Sequence, residues 1–153
     1  MYQFTEDWGG LALRMAAFRV LFVCVGNSCR SQMAEGFAKT YGKDVLEATS
    51  AGLFPATIVA PITIKMMRQR GIDMQGHYPK SLHEVELPFD IVVNISGYPI
   101  PHSLGRRIIE WKVQDPLGQK ESIFQQVATQ IENHVMQLVM ELRLNPPALA
   151  TAG

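Results

Sequence analysis

Cysteine is scarce in this chain. Two occur in 153 residues, alongside four histidines, and the 14 Lys and Arg balance the 14 Asp and Glu. Two cysteines make no disulfide framework, and without a second pair or clustered histidines no zinc-type ligand set is available. Zero net charge with scattered basic residues removes the electrostatic case for nucleic acid or an anionic membrane as partner. No apolar run approaches the length of a membrane span, and Glu6, Asp7 and the Gly9-Gly10 break argue against a secretory leader. What remains is a chain whose 47% hydrophobic content suffices for one core without staples. Unpaired cysteines point to a reducing, cytoplasmic setting, and no metal or resident cofactor is expected.

The pattern along the chain alternates short β-branched runs with helical segments, which implies a four-stranded parallel sheet with helices on both faces. Strands are expected over Val20 to Val25, Val45 to Ser50, Ile91 to Ile95 and Ile108 to Val113. Helices are expected over Gln32 to Thr40 and from Pro61 to Arg70, ending at Gly71. Phe124, Val127, Ile131, Val135, Leu138 and Leu142 recur at helical steps and predict a long final helix with a core-facing stripe. Met66, Met67 and Met136 read as core, His134 as structural or exposed, and His83 and His102 as solvated. Residues 1–17 form an N-terminal extension, 18–143 the catalytic domain and 144–153 a Pro- and Ala-rich tail.

Both cysteines fall in FRVLFVCVGNSCRSQMAEGF, residues 18–37, where an apolar strand runs into a polar loop and a helix follows at once. Such a loop turns successive backbone N–H groups inward, and the helix N-terminus adds partial positive charge, so an anion fits at its centre. Val25, Gly26, Asn27, Ser28, Cys29 and Arg30 are the expected anion-binding residues. Gly26 lets the backbone approach closely, Asn27 tolerates a left-handed conformation, and Ser31 is placed to cap the helix through Glu35. Arg30 offers a planar fork of donors for two oxygens of phosphate or arsenate. A thiol in the same field is favoured as thiolate, which makes Cys24 the candidate nucleophile. Ligands of a parallel sheet bind beyond the carboxyl ends of its strands, and Cys24, Ser50, Ser96 and Asp115 all follow or end strands there. Asp115, before Pro116, is the candidate acid for a leaving oxygen.

The run CVGNSCRS, with Ser50-Ala51-Gly52, Gly71-Ile72-Asp73, His77 ahead of Pro79-Lys80-Ser81-Leu82, and Asp115-Pro116, resembles the low-molecular-weight protein tyrosine phosphatase and arsenate reductase superfamily from about Phe18 to Arg143. The resemblance implies that fold, with Cys24 as nucleophile, Arg30 as oxyanion ligand, Asp115 as acid, and Asn27, Ser31, Ser50 and His77 as a network steadying the loop. It also implies that Cys29 traps an oxidised Cys24 as a reversible disulfide.

Two activities compete. GNSCRSQMAEG is closest to thioredoxin-coupled arsenate reductases, since the phosphatases often have proline where this chain has Gln32. Those reductases relay electrons through two further cysteines after the third strand, and NISGYPIPHSLGRR contains none, so arsenate reduction here requires an external thiol such as glutathione with glutaredoxin, mycothiol or thioredoxin. The phosphatases often carry tyrosines after Asp-Pro, where this chain has Leu117, Gly118 and Gln119. Phe54 and Tyr98 are the aromatics available to wall the site. Because Cys24, Arg30 and Asp115 complete ester cleavage with no missing part, hydrolysis of phosphomonoesters or phosphoproteins is the first expectation. Arsenate reduction is the second, and a non-catalytic oxyanion module the third.

Overall fold

A computed structural model describes residues 17–145; the expectations for the N-terminal extension and the tail lie almost wholly outside them. The elements run β1 (Phe18–Cys24), α1 (Arg30–Tyr41), β2 (Leu46–Gly52), α2 (Pro61–Gln69), β3 (Phe89–Asn94), β4 (Gly105–Glu110) and α3 (Glu121–Leu144), with short 3-10 helices at Leu82–Glu84 and His102–Leu104. The sheet order is β2-β1-β3-β4 and every pairing is parallel. The expected single α/β domain with a four-stranded parallel sheet is therefore what forms.

β1 lies inside the sheet, and Val20, Leu21, Phe22 and Val23 are all fully buried, as a continuous apolar run in a doubly covered strand should be. Their alternation divides the core. Val20 and Phe22 join Ile91, Val93, Met33, Phe37 and the apolar stripe of α3 under the three α-helices. Leu21 and Val23 join Phe89, Val92 and Leu104 on the opposite face, where Leu82 and Leu104 of the 3-10 helices supply the cover. Helical cover thus exists on both faces but in unequal form.

Three expectations need correction. The fourth strand is displaced toward the amino end, covering Gly105–Glu110 in place of Ile108 to Val113. Its outward arginines hid the pattern, and Trp111 and Val113 are buried beyond the ladder, Trp111 packing against Phe22. Met136 is 41% exposed, whereas Met66 and Met67 are fully buried. Ser31 does not cap α1: Cys29 occupies the N-cap with no side-chain cap bond, and the Ser31 hydroxyl turns toward Cys24. His134 is structural, its ring stacked on Trp111 with centroids 4.8 Å apart, and His83 and His102 are exposed.

Candidate active site

Between β1 and α1 every carbonyl from Cys24 to Cys29 accepts a bond directed out of the loop. Leu53 N–H donates to Cys24, Phe54 to Val25, Ala56 to Gly26, Ala60 to Ser28 and Met33 to Cys29, while the Gln32 amide donates to the Asn27 carbonyl. With the carbonyls fixed outward, the N–H groups of Gly26 to Arg30 donate to no other group among the described residues. A ring of amides with the positive end of α1 behind it is a site for an oxyanion.

Asn27 makes the turn with φ 49°, the left-handed region that asparagine tolerates. Gly26 is not needed for protein packing, since a Cβ there would meet Ala56 at an ordinary 3.8 Å. The close approach is at Gly52, where a Cβ would stand 2.8 Å from both Asn27 N and Val25 O. The end of β2 is pressed against the back of the loop.

The side chains behind the loop fix one another's hydrogen-bond directions. The Lys80 backbone N–H donates to Asn27 Oδ1 at 2.8 Å, so the Asn27 amide must point Nδ2 toward Ser31 Oγ at 2.7 Å and Ser50 Oγ at 2.9 Å. Ser50 spends its own proton on the buried Glu35 carboxylate. Ser31, already accepting from Asn27, has its proton free for Cys24 Sγ, 2.8 Å away. The chain of donors ends on sulfur, which suits a thiolate.

Gln32 and Glu35 are the participants that residue-by-residue reading missed, because most of their partners come from distant segments. Gln32 Nε2 lies 3.1 to 3.2 Å from Asn27 O, Asn27 Oδ1 and Tyr78 O, so its Oε1 faces His77 Nδ1 at 2.9 Å and requires a proton on that nitrogen. Glu35 gathers Ser50, Lys39, Lys80 and His77 around one carboxylate. Burial lowers the His77 pKa; Glu35 opposes this, while Lys39 and Lys80 reinforce it. His77 therefore joins the network through Gln32.

Arg30 is buried, and its Nη1 donates to Ile95 O at 2.9 Å and Val113 O at 3.1 Å, the chain ends just past β3 and β4. Its Nη2 stands 3.6 Å from Asp115 Oδ2. Asp115 is half exposed and its Oδ1 accepts from Leu117 N–H, a turn that aims the carboxyl toward Arg30. Cys24, Gly26, Ser28, Cys29, Arg30, Asp115 and Leu117 line one cleft. Burial pushes the Cys29 thiol up to about 12, with a hydrogen bond to Thr63 acting against this. Both cysteines are free.

Phe54 and Tyr98 are 78% and 61% exposed, so neither is core packing. Ser96 is buried and caps its own loop through Asn94. Among the described residues no group of three His, Cys, Asp or Glu is placed to hold a metal, and no helix is long and apolar enough to cross a membrane.

An amide-lined loop joining strand to helix, with a cysteine at its start and an arginine at its end, places the chain in the class of cysteine-bearing phosphate-loop proteins. The chain belongs to the low molecular weight phosphotyrosine protein phosphatase family, whose model matches residues 19–147. A glutaredoxin arsenate reductase of Synechocystis sp. is 37% identical over 129 residues, covering 81% of this chain and 98% of that protein. Arsenate reductase 1 of Staphylococcus epidermidis is 36% identical over 120 residues, covering 74% of this chain and 89% of that protein. A solved structure described as an arsenate reductase in the phosphate binding state superposes with a TM-score of 0.76 at 36% identity, covering 81% of this chain and 98% of that one.

Proposed function

We propose that this chain reduces arsenate with electrons from an external thiol, Cys24 being the nucleophile. The observation that carries the reading is the similarity, over nearly their whole length, to proteins named arsenate reductases. This reverses the order expected from the residues, which put phosphomonoester hydrolysis first.

In the proposed reaction the Cys24 thiolate attacks arsenic and water leaves, giving a sulfur–arsenic(V) bond. Loop amides and Arg30 hold the oxyanion, and Asp115 delivers the proton to the departing oxygen. A thiol RSH then attacks Cys24 sulfur, and the sulfur–arsenic electron pair passes to arsenic, which leaves as arsenite. A second thiol attacks the mixed disulfide and restores Cys24. The sum is arsenate plus two thiols giving arsenite, one disulfide and water. Cys29 is a poor substitute for the external thiol, because it is buried and its pKa is pushed up to about 12. A thiol supply of this kind is that of a reducing cytoplasm, which is the compartment we propose.

Phosphomonoester hydrolysis is the second reading, favoured by one observation: Asp115 stands in the same cleft as Cys24 and Arg30, as an ester's leaving oxygen requires. The deciding experiment is paired turnover by one preparation. Arsenite formation with glutathione and glutaredoxin, mycothiol or thioredoxin is measured beside p-nitrophenyl phosphate hydrolysis, with Cys24→Ser as control. The proposal expects Cys24-dependent arsenite formation far above ester hydrolysis. Hydrolysis that weakens in Asp115→Asn, with no arsenite from any thiol, overturns it.

A further inference from the structure

Cys24 is 2% exposed at the bottom of a cleft of only about 10 Å³, too narrow for the body of a peptide. An oxyanion seats there against the amides, but the body of a thiol co-substrate has to rest somewhere else. A second cavity of about 680 Å³, within the roughly 300–1,000 Å³ range of small-molecule sites, lies beside it at the carboxyl ends of β3 and β4. No residue lines both; Arg30 stands between them, lining the smaller cavity while its guanidinium donates to the carbonyls of Ile95 and Val113 on the larger one.

The cavity has features that a random surface groove lacks. Tyr98 projects at its edge, yet its backbone is fixed, because Asn94 Nδ2 donates to Tyr98 O at 2.7 Å and Tyr98 N–H donates to Ser96 Oγ at 3.0 Å. The same Asn94 amide reaches Glu110 Oε2 at 3.2 Å and so orients that carboxylate on the cavity wall. Lys112 stands two residues along and pairs with no carboxylate among the described residues. The wall therefore offers a cation, an anion and an aromatic edge around an apolar floor of Ile95, Trp111 and Val113.

We infer that this groove binds the reducing co-substrate, a small zwitterionic peptide thiol of the glutathione class, with Lys112 toward a carboxylate, Glu110 toward the ammonium and Tyr98 over the peptide. The inference rests on the arsenate reductase reading for its chemistry, since the thiol enters at the second step written above. It rests on the cavity alone for its location.

The test has two arms on the full chain. S-methylglutathione, which can neither donate electrons nor form a disulfide, is titrated while the Trp111 indole and the 94–98 and 110–114 amides are followed by NMR. Steady-state arsenite formation then compares wild type with Lys112→Glu and Tyr98→Ala. The expected result is saturable shifts confined to these residues, lost in Lys112→Glu, and a KM for glutathione raised about tenfold more than the KM for arsenate. Shifts elsewhere or none at millimolar probe overturn the groove, as does an unchanged thiol KM in both variants. Turnover with a protein thiol alone, without probe binding, also overturns it while leaving the reductase reading intact. Absence of arsenite with every thiol removes that reading, and the titration still decides the groove.

Discussion

Behind the 24–30 loop, Asn27, Ser31, Gln32, Glu35 and Ser50 are all buried and cross-bonded, whereas in front of it Leu117 and Asp115 line the cleft and stand about half exposed. The back fixes how an oxyanion is held, because each side chain there has its donor or acceptor role dictated by a neighbour. The front carries Asp115 on a half-exposed turn tied by one 3.1 Å hydrogen bond and a 3.6 Å ion pair. Oxyanion binding should therefore fail when the back is disturbed, and reaction type should change when the front is.

The largest effect is expected at Gly52. A Cβ 2.8 Å from Val25 O and Asn27 N meets backbone on both contacts, and neither can yield without moving the loop. Gly52→Ala should abolish phosphate or arsenate binding, measured calorimetrically, and cost about 1–3 kcal/mol in urea unfolding from overpacking. Gly26→Ala, whose Cβ meets Ala56 at 3.8 Å, is the control on the same loop and should retain most stability. Equal losses in the two variants would deny that the back of the loop is the determining surface.

Asp115→Asn probes the front. Removing a general acid should slow p-nitrophenyl phosphate hydrolysis by about 10²–10⁴-fold. A departing arsenate oxygen can already carry one proton whereas an ester oxygen carries none, so arsenite formation should fall by less. Matched losses in the two assays would mean that Asp115 acts mainly by holding Arg30 across their 3.6 Å contact.

The loop, its cysteines and arginine, and the parallel sheet were legible in the sequence because they are local: an apolar strand, a polar turn and a helix within twenty residues. The fourth strand was misplaced since Gly105–Glu110 is an edge strand with exposed Arg106 and Arg107, and the buried Trp111 and Val113 beyond it imitate a strand core. Ser31 looked like a cap by spacing, yet a hydroxyl within 2.8 Å of sulfur has a better partner than a helix N–H. Gln32, Glu35 and Gly52 could not be read as site residues from one chain, because their distant partners lie 15 to 46 residues away and depend on how β2 and the 77–80 segment pack on α1.

Gln32→Pro tests the cross-brace between loop and His77 with a smaller expected effect. Gln32 is the third residue of α1, where the backbone N–H has no helical acceptor and proline is tolerated. The change removes the side-chain bonds to Asn27, Tyr78 and His77 alone, for a loss of about 1–3 kcal/mol in urea unfolding and weaker phosphate binding. An unchanged unfolding midpoint would show that Asn27 is held without it.

The smallest effect is in the acid limb of stability. Burial holds His77 below its ordinary value of 6.5, and burial beside Trp111 does the same for His134. For a base with a lowered folded pKa, the unfolded chain binds more protons, so stability is complete above about pH 6.5 and is lost as pH falls through that value toward the folded pKa. His77→Gln keeps a donor for Gln32 but removes the titration, and should flatten the dependence of unfolding free energy on pH between 6.5 and 5 by at most about one proton. His134→Gln should flatten the same limb without changing phosphate affinity, since it lies on the α3 side of Trp111. If both variants flatten the limb but only His77→Gln also weakens phosphate binding, the buried back of the loop is where protonation and anion binding meet.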